Sequence, residues 1–172
     1  MKIRNLVLGA LCGITFFSCS ASGGGKDAEM DRFITDLVTG SVMNTELGDM
    51  IRKEEIGGFF NVKGVKKIYD LQRLAVEETR LKIPLIVGAD VIHGYETIFP
   101  IPLALSCSWD TLAVQQMARI SAIEASADGI CWTFSPMVDI CRDARWGRIA
   151  EGSGEDPYLG SLLAKAYVRG YQ

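Results

Sequence analysis

Between Val138 and Leu159 the chain reads VDICRDARWGRIAEGSGEDPYL. This stretch holds three arginines (Arg142, Arg145 and Arg148) and five carboxylates (Asp139, Asp143, Glu151, Glu155 and Asp156). Burying so many ionised groups would leave charges without partners, so the segment reads as a polar loop between two apolar segments. Two uses fit it: a salt-bridged surface connection, or the wall of a pocket for a polar ligand. A second candidate stands upstream, where Asp90 closes the apolar run PLIVGAD. A carboxylate held at a strand end can accept two hydroxyl hydrogens at once, which suits the vicinal diols of a sugar, and Arg148 would supply complementary donors. The plainer reading of Asp90 is a cap on the next loop. Around them, His93 in IHGY reads as a packed, hydrogen-bonded structural residue. Trp146 either stacks on a sugar face or plugs the base of the loop. Arg142 and Arg145 pair with Asp139, Asp143 or Glu151 rather than with a ligand.

The elements that must hold these residues follow from periodicity and punctuation. Pro84 to Asp90 is apolar without alternation, as in a parallel strand covered on both faces. Before it, Val65, Ile68, Leu71 (or Gln72) and Ala75 recur at helical spacing through VKKIYDLQRLAVEETR. Ile56 to Asn61 is a short buried strand, and weaker helices are expected around Arg32 to Val38 and Thr45 to Lys53. After the turn-rich VIHGYETIFPIP, Asp110 is placed to cap a helix with Ala113, Met117, Ile120 and Ile123 on one stripe and Gly129 as its stop. Cys131 to Asp139 is a third strand, with Cys131 a small core residue. Asp156 and Pro157 then open a last helix whose apolar face is Leu159, Leu162, Leu163, Ala166 and Tyr167. Alternating strands and helices define an α/β fold with parallel strands, open or closed into a barrel, and ligands in such folds bind beyond the carboxyl ends of the strands. Both polar loops, after Asp90 and after Asp139, fall at those ends.

At 172 residues, 48% hydrophobic and a net charge of −3, the chain has length for one domain and a balance that disfavours nucleic acid as a partner. GRIAEGSGEDPYLG has glycines but neither the lysine of a phosphate loop nor dinucleotide spacing. Residues 1–19 read as an export signal, with Lys2 and Arg4 before an apolar run from Leu6 to Phe17 that is too short to cross a bilayer. Phe16-Phe17-Ser18-Cys19 resembles a bacterial lipoprotein box, which makes Cys19 the expected lipidation site. A lipid there would be the sole membrane attachment of a periplasmic or outer-membrane lipoprotein. Residues 20–30 form a flexible spacer, and residues 31–172 the domain. Cys107, Cys131 and Cys141 remain as an odd set without metal-ligand or disulfide spacing, and no metal or cofactor is expected.

VGADVIHGYETIFPIPLALSCSWD, SPMVDICRDARWGRIAEGSGEDPYL and the closing VRGYQ together resemble the N-terminal barrel domain of glycoside hydrolase family 3, in its bacterial periplasmic β-glucosidase branch. The resemblance implies an incomplete (β/α)8 TIM-type barrel, roughly its first half. It also implies retaining hydrolysis of terminal, non-reducing β-D-glucosyl residues. The positions matching Asp90 and Arg148 hold hydroxyls of the terminal sugar in that family. Its nucleophile, an aspartate in a Ser-Asp-Trp type motif, its acid/base and a Lys-His pair that completes the sugar subsite have no match here, so no catalytic residue is assigned. Two departures are local. The segment that leads into the first barrel strand in relatives is missing between Leu37 and Thr39, and Ala144 replaces a proline. The expectation is therefore a β-glucosidase-like chain that is inactive alone and marginally stable, with a strand edge and apolar helix faces open to solvent. The alternative is a non-catalytic saccharide-binding or vestigial lipoprotein.

Overall fold

The computed structural model describes residues 46–172. The signal segment, Cys19, the spacer, the helix expected around Arg32 to Val38 and the Leu37–Thr39 junction lie outside the described residues. The chain divides into two compact units, the first ending at Val87 and the second beginning at Gly88.

In the first unit, helix α1 (Glu46–Arg52) precedes strand β1 (Gly58–Phe60), helix α2 (Val65–Glu77) and the start of strand β2 (Ile86–Ala89). Leu47 and Ile51 of α1 and Ile68, Leu71, Leu74 and Ala75 of α2 are buried. Val65, expected on that stripe, is 60% exposed because it sits at the helix's first turn, before the buried face begins. Gln72 is half-buried and acts through its amide: Nε2 donates to the Leu85 carbonyl at 2.8 Å, and the Leu85 N–H donates to Oε1 at 2.8 Å. One helix side chain thus satisfies both backbone groups of the residue that leads into β2. Gly58 lets β1 approach closely, since a Cβ there would lie 2.4 Å from the Ile86 carbonyl oxygen.

The second unit continues with a short helix α3 (Pro102–Ser106), helix α4 (Thr111–Ala127), strand β3 (Trp132–Thr133), a 3-10 turn (Ile149–Glu151) and helix α5 (Pro157–Tyr171). β2 and β3 pair in parallel, Gly88 opposite Trp132 and Ala89 opposite Thr133. Asp110 caps α4 as expected, its carboxylate accepting from the N–H groups of Leu112 and Ala113 at 3.0 and 2.9 Å. Asp156 caps α5 through the Tyr158 N–H at 2.9 Å, with Pro157 in the first turn.

The core of this unit is the α4–α5 pair: Val114, Met117 and Ala118 against Leu159, Leu163, Ala166 and Tyr167. The buried stripe of α4 is therefore Val114, Met117, Ala118, Ser121 and Ala125, and not Ala113, Met117, Ile120 and Ile123. Only Met117 is common to both, and Ile120 and Ile123 are 42% and 55% exposed. Close approach selects the small residues. A Cβ on Gly170 would stand 2.4 Å from the Gln115 carbonyl oxygen and 2.6 Å from the Ala118 Cβ, so α5 lies against α4 with no room for a branched side chain. Leu162 is also more exposed than its expected place on the α5 face implies.

Two other expectations fail nearby. β3 spans two residues rather than running to Asp139, because the chain leaves the ladder after Phe134, whose N–H still donates to the Ala89 carbonyl. Cys131, expected in the core, is exposed: it directly precedes the short β3 and lies outside the α4–α5 core cluster. Helix α3, begun by Pro102 at the end of the turn-rich segment, was not anticipated.

Candidate functional site

Parallel pairing of β2 with β3 brings their carboxyl ends side by side. Asp90 is the residue directly after β2, and the charged loop follows β3. The backbone after Asp90 is fixed by its neighbours. The Phe99 N–H donates to the His93 carbonyl at 2.7 Å, and His93 Nδ1 lies 3.1 Å from the Phe99 carbonyl oxygen, which as an acceptor requires the proton on Nδ1. His93 is thus hydrogen-bonded within the turn, as its sequence context suggested. Glu124 of α4 accepts from the N–H groups of Glu96 and Thr97 at 3.0 and 2.9 Å and from the Thr97 hydroxyl at 2.6 Å. Those bonds hold its carboxyl below the usual range, led by the Thr97 hydroxyl. The Tyr95 hydroxyl donates to Asp128, so both ends of this turn are tied to one helix.

The charged loop is a chain of short turns. Cys141 and Gly152 are its buried points, and the Cys141 N–H donates to the Gly154 carbonyl at 3.1 Å. The Trp146 N–H then donates to Asp143, the Ile149 N–H to Trp146 and the Glu151 N–H to Arg148, so Arg148 opens the 3-10 turn that carries Glu151. Arg145 pairs with Asp143 as expected, Nη2 to Oδ2 at 2.5 Å, and this bond holds the Asp143 carboxyl down. Arg142 makes no ion pair among the described residues. Trp146 is half-buried.

Glu151 takes a different partner from the one its charge alone suggested. It accepts Nε of Arg148 at 3.1 and 3.2 Å and Nη2 at 2.6 Å, a forked pair across three residues. The spacing was available in the sequence, since positions three apart share a face of any helical turn; what was missing was the turn.

Asp90 and Arg148 lie within electrostatic reach of each other without forming an ion pair. The Asp90 carboxyl is pushed up, first by burial and then by the charge of Glu151, while Arg148 pulls it partly back. Although Asp90 is exposed in surface terms, the protein on its inner side is enough for desolvation to be the largest cause. Arg148 in turn feels Glu151, Asp139 and Asp90. The result is one guanidinium among three carboxylates, of which only Glu151 touches it.

A chain of alternating strands and helices with polar groups gathered beyond its strand ends belongs to the α/β class in which sites form at that edge. Residues 26–172 match the family described as glycosyl hydrolase family 3 N-terminal domain, and the chain belongs to that family. It is 38% identical over 159 residues to the periplasmic β-glucosidase of Salmonella typhimurium, a match covering 83% of this chain and 21% of that protein. It is 33% identical over 117 residues to a β-xylosidase of Formosa agariphila, covering 62% of this chain and 16% of that one. Among solved structures, the β-glucosidase from Listeria innocua in complex with isofagomine is similar at 52% identity and a TM-score of 0.67, over 69% of this chain and 17% of that one. The same enzyme in complex with glucose is similar at 46% identity and a TM-score of 0.69. The chain spans about a fifth or less of the length of these relatives. The fold is accordingly the α/β arrangement of an incomplete (β/α)8 barrel with parallel strands.

Proposed function

We propose that this chain is the sugar-gripping part of an exported β-glucosidase-like glycoside hydrolase, with Asp90 and Arg148 binding the terminal glucosyl residue of a β-glucoside. The observation that carries this reading is that Asp90, directly after β2, and Arg148, in the loop that follows β3, lie within electrostatic reach of each other in a member of glycosyl hydrolase family 3. Asp90 accepts no hydrogen bond from the described residues, so both its oxygens are available to hydroxyl donors. Arg148 keeps Nη1 for a hydroxyl acceptor. A pyranose offers both kinds of partner on neighbouring carbons, and the pair would fix its orientation.

Retaining hydrolysis needs a carboxylate to attack the anomeric carbon and an acid to protonate the leaving oxygen, about 5 to 5.5 Å apart. In this reading neither role falls to Asp90 or to the Arg148–Glu151 pair, whose task is to hold the ring. The 172 residues bind without turnover. Export follows the leader, and Cys19 is the proposed point of lipid attachment, with the spacer holding the domain off the membrane. Relatives named periplasmic support export.

Calorimetric titration with glucose and cellobiose, beside an assay with an aryl β-glucoside, tests this directly. The expected result is saturable sugar binding that Asp90→Ala removes, and no aglycone release. Release abolished by Asp90→Ala would show that this chain holds a catalytic pair. Absence of binding by either sugar would favour a vestigial lipoprotein.

A further inference from the structure

The forked contact between Glu151 and Arg148 bears on how the sugar site is kept open. Arg148 has five N–H bonds in a rigid plane, and Glu151 occupies the Nε and Nη2 edge with both oxygens. The Nη1 edge donates to nothing among the described residues. Asp90 and Asp139 are the other carboxylates whose charge Arg148 feels, and it is in contact with neither. A lone arginine beside a carboxylate closes onto it in a bidentate pair when nothing else holds the guanidinium. That closure would consume the acceptor and the donors that a sugar needs.

We propose that Glu151 is a positioning residue: by holding the Nε and Nη2 edge of Arg148, it keeps the guanidinium from closing on Asp90 and turns Nη1 toward the sugar. This rests on the reading of Asp90 and Arg148 as the sugar-binding pair. The electrostatics agree with it. Glu151 and Arg148 are the charged groups that act on Asp90, and Glu151 raises its carboxyl while Arg148, held back, lowers it less. Removing Glu151 takes away the repulsion and frees Arg148 to approach, and both changes move the Asp90 carboxyl the same way, down.

Sugar binding needs Asp90 ionised, so affinity is present above its pKa and lost as pH falls through it. Without Glu151, binding at neutral pH is weaker because Arg148 now competes with the sugar, yet it survives to lower pH. Loss of the Glu151 charge alone would move the pH profile down without weakening binding at pH 7. A residue that only supported the loop would weaken binding without moving the profile. Both changes together mark closure of Arg148 on Asp90.

The test uses the full chain with Glu151→Gln, which keeps size and loses charge, Glu151→Ala, and Glu151→Asp as the conservative rescue. The Asp90 carboxyl is titrated by carbon-detected NMR without ligand, and glucose affinity is measured by calorimetry across pH. Expected are a lower Asp90 titration in the Gln and Ala variants, about a tenfold loss of glucose affinity at pH 7, a binding profile shifted to lower pH, and recovery in Glu151→Asp. An Asp90 titration unchanged in both variants overturns the proposal, whether or not sugar binds. Should Asp90→Ala and Arg148→Ala both leave glucose affinity at the wild-type value, the sugar-binding reading fails, while the ligand-free titration still decides whether Glu151 holds Arg148 away from Asp90.

Discussion

The α4–α5 pair and the charged loop between β3 and α5 lie in the same unit and are held by opposite means. The helices are joined by burial of Val114, Met117, Leu163 and Tyr167 and by an approach so close that Gly170 admits no Cβ. The loop has two buried points, Cys141 and Gly152, and is otherwise organised by ion pairs and single turn hydrogen bonds. Packing of the first kind fixes geometry and tolerates little change; pairing of the second kind contributes little stability but sets where charges point. The difference teaches that packing and charge placement are separable here: the helices carry the tightly packed core of the unit, and the loop sets where its charges lie.

Substitutions in the helix pair should break this separation most visibly. Leu163→Ala removes a side chain that is 1% exposed and should cost about 2–5 kcal/mol in urea unfolding. Gly170→Ala forces a methyl onto the Gln115 carbonyl and the Ala118 Cβ and should cost about 1–3 kcal/mol by the same measurement. Asp110→Ala deletes the cap of α4 and should cost about 1 kcal/mol. In the loop, Arg145→Ala breaks an ion pair whose arginine is 91% exposed, and the melting temperature should not move measurably. A large loss of stability from Arg145→Ala would show that the loop is part of the scaffold and undo the comparison.

What the sequence made legible follows the same division. Caps were readable because they are local: Asp110 and Asp156 each precede a helical pattern by one residue, and both accept from N–H groups of the following turn. The end of β2 that carries Asp90 was readable from an apolar run bounded by turn formers, whereas β3 stops well short of the expected Asp139. The packing face of α4 was not. Hydrophobicity favoured Ile120 and Ile123, whereas close approach favoured Ala118, Ser121 and Ala125, and the reason lies some 50 residues away at Gly170. Cys131 was misplaced because an apolar run of this length does not reveal that its strand pairs over only two residues. Within the proposed site, Asp90 and Arg148 were singled out from a carboxylate at a strand end and a nearby arginine, and the family resemblance strengthened that expectation. The tie between Arg148 and Glu151 was missed because charge alone offers Glu151 three arginines, and only the 3-10 turn chooses among them.

The account stands or falls on where a sugar touches this chain. Backbone amide NMR of the full chain titrated with glucose reads that contact residue by residue. Shifts concentrated at Asp90 to His93 and Arg145 to Gly152, with Val114, Leu163 and Tyr167 unmoved and the whole pattern lost in Asp90→Ala, are the predicted result. Shifts centred instead on the cavity of about 120 Å³ lined by Ser126, Cys131 and Tyr171, and retained in Asp90→Ala, would contradict it.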